Sequence, residues 1–411
     1  MIDRICEAYL ESPDFNGLRF DGTHADERRE AIDLVRTGSV QVVSEEDFLN
    51  PSIRPWPSLR DVEEQVASIE SLGDGRSALC LYPTAAVLKD RAAGRYPDRP
   101  YQQRMAEGRG TLELAYFEFP VLEQYRNDPR FYFLFDDFGA DAVIGDDAYA
   151  DESEPAHDKI IMNHIGFAYD LSRYELAEPD TPIVRRVCAF YGDLAKLSAR
   201  HQQRWQTYQL EDEAQLHPHP VWWGQEMGHW ADGLGPFDRL FMELEALSTL
   251  YERAFGKPLL RVTERPDGFG WILRATQHEW DSFVQQLDKL LSENIEHDAL
   301  TAAGVRRKDE ADQPVGTLKR IEMLLLDKRI PADAVRRVLQ PLRDVRAARQ
   351  APAHALRTNV TNTTFVRRQV ELLEEVNFSI EHLRRLFQTH PANRDWNEPD
   401  YLTKEATRYR F

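Results

Sequence analysis

Cysteine is scarce in this chain. Cys6, Cys80 and Cys188 stand far apart and form no Cys-x-x-Cys pair. That pattern argues against a disulfide framework and against a thiolate metal centre. Long apolar runs are missing as well. No stretch of about 18 apolar residues occurs, so no transmembrane helix is expected and no membrane partner. The opening residues, Met1-Ile2-Asp3-Arg4-Ile5-Cys6-Glu7, are amphipathic and acidic. They lack the basic-then-apolar order of an export signal, so the expected location is cytoplasmic. No GxGxxG opens a helix, and GxxxxGK with Ser or Thr, HExxH and GxSxG are all missing. Internal repeats and low-complexity tracts are missing too. The common phosphate-loop, zinc-protease and serine-hydrolase chemistries therefore have no support, and no cofactor is expected.

What the chain does have is length, aromatic content and uneven charge. At 411 residues it exceeds the usual size of one core, so two or three domains are expected. The net charge is -19. Residues 301–411 nevertheless carry a net +6, and the remainder carries -25. Such asymmetry suggests one region that meets an anion and another that does not. Phosphate contacts are local, so a basic face on an acidic protein still suits RNA.

The pattern along the chain predicts an α+β protein: an N-terminal mixed α/β domain with a small antiparallel sheet, then an all-α bundle. Residues 1–155 read as the mixed domain, and its acidity suits a protein or ligand partner. Strands are expected over Ser39–Ser44, Thr111–Phe119, Phe131–Phe135 and Ala142–Ile144, with a helix over Arg60–Leu72. The acidic run from Asp136 to Glu154 reads as a solvated loop, because its spacing fits no calcium loop. Residues 156–234 read as a connecting region. In it, Lys159–Leu171 reads as a buried strand and Arg186–Leu210 as a helix. His217-Pro218-His219-Pro220-Val221-Trp222-Trp223 reads as a stiff packing loop rather than a zinc site, so no metal ligands are expected. Residues 235–390 read as four or five successive helices, which suits an up-and-down bundle. Phe237–Phe255 is closed by Gly256-Lys257-Pro258. Thr276 with Glu279 forms a capping box. Pro341 predicts a kink or a break. Residues 391–411 read as an extended tail.

The sharpest motif is Arg349-Gln350-Ala351-Pro352-Ala353-His354. The preceding run, Val335–Ala348, reads as a helix, and another is expected from about Thr363 to Phe387. Pro352 suits the first turn of a new helix. An arginine that grips phosphate bidentately and a histidine that moves a proton near neutral pH then share a helix junction.

At these residues the last third of the chain resembles the HEPN family. The family's signature is Arg, four to six residues, then His, between two helices. Its usual Asn, Asp or His after the arginine is replaced here by Gln350. The resemblance implies a helical bundle acting as a metal-independent endoribonuclease on RNA. The ribose 2′-hydroxyl attacks the phosphorus, and the product is a 2′,3′-cyclic phosphate. His354 would be the general acid or base and Arg349 the charge stabiliser. Gln350, Arg343, Arg346, Arg357, Asn359, Arg367 and Arg368 are the candidate RNA-binding residues. The resemblance also implies a homodimer through the C-terminal helices. The arrangement, a sensor-like N-terminal part with a C-terminal effector, resembles toxins and anti-phage proteins. Two alternatives remain open: a catalytically inactive nucleotide- or protein-binding module, and a regulatory interaction protein.

Overall fold

The fold is given by a computed structural model. It describes residues 1–56, 60–72, 79–145, 161–170, 184–211, 213, 215–229, 234–353 and 358–403. The chain is mixed α+β, with antiparallel sheets and a helical C-terminal region. Among the described residues, no helix is long and apolar enough to cross a membrane. The chain divides into two compact units. Unit one comprises residues 1–121, 143–165 and 186–216, and unit two comprises 122–142, 166–185 and 217–411.

Unit one opens with α1 (Ile2–Glu11), β1 (Leu18–Phe20), α2 (Ala25–Arg36), β2 (Val40–Val43), α3 (Val62–Glu70) and β3 (Leu79–Pro83). β3 is the central strand of a three-stranded antiparallel sheet, with Leu81 opposite both Leu18 and Val42. All five β3 residues are buried, as a strand covered on both faces requires. The core gathers Ile5, Phe20, Ala31, Val35, Val42, Val66, Ile69 and Leu81. α3 starts with a capping box: Asp61 accepts from the Glu64 N–H, and Glu64 accepts from the Asp61 N–H. Then follow α4 (Ala85–Arg91), α5 (Pro100–Ala106) and β4 (Leu114–Glu118).

The next elements are α6 (Glu123–Asn127), β5 (Phe131–Phe135), β6 (Gly139–Ile144), β7 (Ile161–Asp170), β8 (Arg185–Phe190), α7 (Tyr191–Lys196), α8 (Ala199–Thr207) and β9 (Leu216–Pro218). The second sheet has the order β4-β8-β7-β6-β5, with β9 beside β7. β4 and β8 are antiparallel, with Tyr116 opposite Cys188. β5 alternates in burial: Phe131, Phe133 and Phe135 face in, Tyr132 and Leu134 face out.

Unit two is mostly helical: α9 (Pro220–Glu226), α10 (Pro236–Phe255), α11 (Gln277–Asp288), a π-helical turn (Lys289–Glu293), α12 (His297–Ala302), α13 (Thr317–Asp327), α14 (Ala332–Ala353), α15 (Thr364–Gln388) and α16 (Asp400–Thr403). α10 and α15 run parallel. Pro236 O accepts from Asn377, Glu243 pairs with Arg384, and Leu250 O accepts from Asn393 just past α15. The Arg384 guanidinium is fully buried, 2.5 Å from Glu243 and 2.9 Å from Glu398. Arg320 of α13 is also fully buried. Its guanidinium donates to the carbonyls of Val305 (2.8 Å), His297 (3.0 Å) and Arg306 (3.2 Å), and to the Thr301 hydroxyl (2.9 Å).

The structure corrects several local expectations. Arg186–Leu210 is not one helix. Its first part is β8, held by pairing to β4, and two short helices follow. Pairing with a distant strand overrides local helix propensity there. His217–Trp223 is not a loop but β9 and the start of α9. Pro220 occupies the first turn, and His219 Nδ1 accepts the Val221 N–H at 3.3 Å. Gly166 of β7 lets the Trp222 ring lie flat on the strand, where any Cβ would collide with it. α14 continues through Pro341, because Val338, Leu339, Leu342 and Val345 bury around it. Pro352 lies in the last turn of α14 and does not open a new helix. Asp137, expected in solvent, is fully buried.

Candidate functional site

Arg349 projects from the C-terminal part of α14 towards the end of α11. Its Nη1 lies 2.5 Å from Asp288 Oδ2 and 3.0 Å from Glu293 Oε1. Asp288 is the last residue of α11, and Glu293 ends the π-helical turn that follows. Asp288 is 1% exposed and also accepts from the Ser292 hydroxyl at 2.8 Å. The Arg349 side chain is 35% exposed. Among the described residues, Nε and Nη2 of Arg349 have no partner. The bond to Asp288 raises the Arg349 pKa further, so the group is a permanent cation. A π-turn at this position is notable because such turns recur at functional sites.

The other candidates fall into two groups. Arg346 and Arg343 lie about one and two turns before Arg349 on α14. Arg343 pairs with Glu322 of α13 at 3.2 Å. Glu322 also meets Lys319, and these two contacts hold its carboxyl below the usual range. The Arg346 guanidinium faces Gly316, just before α13. Gln350 is exposed. Asn359 and Arg368 belong to the opposite end of α11. Asn359 Oδ1 accepts the His278 N–H at 3.1 Å. Arg368 lies over Trp280, 4.6 Å from the ring centroid, and Trp280 stacks on Phe365. Arg367 is half-buried. His278 and Asp288 are ten residues apart on one helix, about 15 Å. Asn359 is therefore not a neighbour of Arg349. His354 and Arg357 lie outside the described residues.

Two carboxylates at the site went unread in the sequence. Asp288 carried a signal: it falls four residues after Val284 and eight after Trp280, on the buried face of α11. A buried acid on an apolar face asks for a cation.

A second charged cluster sits where β5 and β6 meet α10. Asp137 accepts the N–H groups of Phe237 (3.2 Å) and Asp238 (2.9 Å) at the first turn of α10. It serves as the cap that Gly235 cannot supply. A Cβ at Gly235 would overlap the carboxyl. Arg265 Nη1 stands 3.5 Å from Asp238 and 3.8 Å from Asp137. Burial, and then the neighbouring Asp238, push the Asp137 pKa well above the usual carboxylate range; Arg265 pulls the other way. Burial and Asp136 raise Asp238 likewise. Nearby, His219 stacks on Phe138 with centroids 4.1 Å apart, and burial drives its pKa down to about 3, so it is neutral. Asp137 is fully enclosed and spends its carboxyl on the first turn of α10, so its role is to hold the fold.

Comparison with protein-family models, with curated proteins and with solved structures finds no match for this chain. The functional reading therefore rests on the residues themselves.

Proposed function

We propose that the helical region of unit two is a metal-independent endoribonuclease of HEPN type. The observation that carries this reading is the state of Arg349. One guanidinium nitrogen is anchored by Asp288 and Glu293, and among the described residues the other two are unspent at a partly exposed helix end. A guanidinium held from behind in this way is pre-oriented to take a phosphate in front. Arg349 lies in the last part of the long helix α14 and precedes His354 by five positions in the sequence. In the reaction, His354 takes the 2′-hydroxyl proton and the 2′-oxygen attacks phosphorus. The 5′-oxygen leaves with a proton from a second acid, supplied by His354 of another copy in a homodimer. Arg349 balances the charge that builds on the phosphorane.

One observation favours a second reading, a nucleotide- or protein-binding module without turnover. Asp288 and Glu293 already balance the Arg349 charge, which lowers its drive to bind phosphate.

The test is cleavage of labelled tRNA, mRNA and synthetic single-stranded RNA in chelator. The wild type is expected to yield 2′,3′-cyclic phosphate and 5′-hydroxyl ends. His354→Ala is expected to lower the rate by about 10²–10⁴, the usual contribution of a general acid or base. Arg349→Ala strands the buried Asp288, so it is paired with Asp288→Asn to keep the fold. A wild type that cleaves none of these RNAs overturns the enzyme reading. Nucleotide binding without products would then favour the module.

A further inference from the structure

Unit one contains a cleft of about 790 Å³, between the end of α5 and the segment that follows α8. Its size is that of a small-molecule site. Arg104 lies beside the rings of Tyr101 and Tyr191, 5.6 and 5.9 Å from their centroids. Its Nη1 donates to Gln209 Oε1 at 2.8 Å and to the Tyr191 hydroxyl at 3.1 Å. Among the described residues no carboxylate reaches this guanidinium, and its Nε and Nη2 are unspent. Arg109 differs, because Glu113 pairs with it at 2.8 Å.

Three carboxylates face the same cleft outside any ion pair among the described residues, although the charge of Glu213 is felt by Arg109. Glu107 accepts only from the neutral Gln103 amide at 2.7 Å, and Glu213 accepts the Tyr116 N–H at 3.3 Å. Glu211 is exposed on the cleft wall. Among the described residues, the hollow thus holds one cation and three anions outside any ion pair, beside the Arg109–Glu113 pair. A bare polyamine would satisfy the acids and leave Arg104 facing positive charge. A simple carboxylate would satisfy Arg104 and meet repulsion from the acids.

We propose that this cleft binds a ligand with one carboxylate and two cationic amines, the chemistry of a diamino acid, free or as the last residue of a peptide. Arg104, fixed by its two rings, takes the carboxylate as a bidentate pair. Glu107, Glu211 and Glu213 take the amines. This assignment is independent of the ribonuclease reading, which concerns unit two.

The test is calorimetric titration of the full chain with L-lysine, L-lysinamide and the tripeptide Gly-Gly-L-Lys. L-Lysine is expected to bind, and L-lysinamide, which lacks the carboxylate, on the order of tenfold more weakly. Arg104→Met is expected to erase that difference. Glu211→Gln, at an exposed position that the fold does not need, is expected to weaken L-lysine by a similar factor. Binding of the tripeptide alone would identify a peptide end as the source of the same chemistry. The proposal is overturned if neither L-lysine nor the tripeptide binds at concentrations up to about 10 mM. It is equally overturned if lysinamide binds as tightly as lysine, or if Glu211→Gln changes nothing.

Discussion

Replacing Asp137 tests a fully buried acid. The carboxylate satisfies two N–H groups at the start of a 20-residue helix and faces Arg265. Asp137→Ala removes a helix cap, which costs about 0.5–2 kcal/mol. It also leaves buried donors unmet, at about 1–3 kcal/mol for such a group. These terms overlap, so a net loss of about 2–4 kcal/mol is expected in urea unfolding followed by circular dichroism. Asp137→Asn keeps an acceptor oxygen and separates charge from geometry. The folded pKa of Asp137 is raised, so the folded state binds a proton more tightly than the unfolded one. Stability from this group is then lost as pH rises from the ordinary carboxylate value towards the raised one. The slope is at most about 1.4 kcal/mol per pH unit. Measured between pH 5 and 8, the wild type should lose stability relative to Asp137→Asn as pH increases. Parallel curves for the two proteins, or an Asp137→Ala loss below about 1 kcal/mol, would refute the account of this cluster.

Two further substitutions probe the helical region. Arg384→Met strands the buried Glu243 and should cost about 3–5 kcal/mol, with much of that loss recovered by adding Glu243→Gln; thermal unfolding of both variants checks this. Pro341→Ala restores an N–H inside α14 and should raise stability, since an interior proline costs about 3 kcal/mol; a lower melting temperature would show that the proline shapes the packing of Leu342 and Val345.

Much of this architecture was legible wherever local pattern and tertiary outcome agree. The aromatic run Phe131–Phe135 marked a strand, and its burial alternates as a half-buried strand's does. The three- and four-residue spacing of Phe237–Phe255 marked a helix, and Gly256 ends it with φ +77°. Thr276 caps α11 through the Glu279 N–H. What was not legible depends on partners far along the chain. β8 becomes a strand through β4, seventy positions earlier, and Asp137 is buried by a helix one hundred positions later. At the candidate site, Arg349 could be singled out from its spacing to a histidine. Its counter-ions lie 56 and 61 positions away on another helix: Asp288 stands out there as an acid on an apolar face, but nothing local ties it to Arg349. The two-ended spread of the basic candidates along α11 was equally hidden, because closeness in sequence to Arg349 does not fix closeness in space.

The Arg320 guanidinium gathers oxygens from His297, Thr301, Val305 and Arg306 around one positive centre, much as a bound ion gathers ligands. Here the centre is tethered to a helix by covalent bonds and has no dissociation constant. The shape of residues 297–306 is thereby coupled to the seating of α13. A disturbance of one should register in the other without any diffusible messenger.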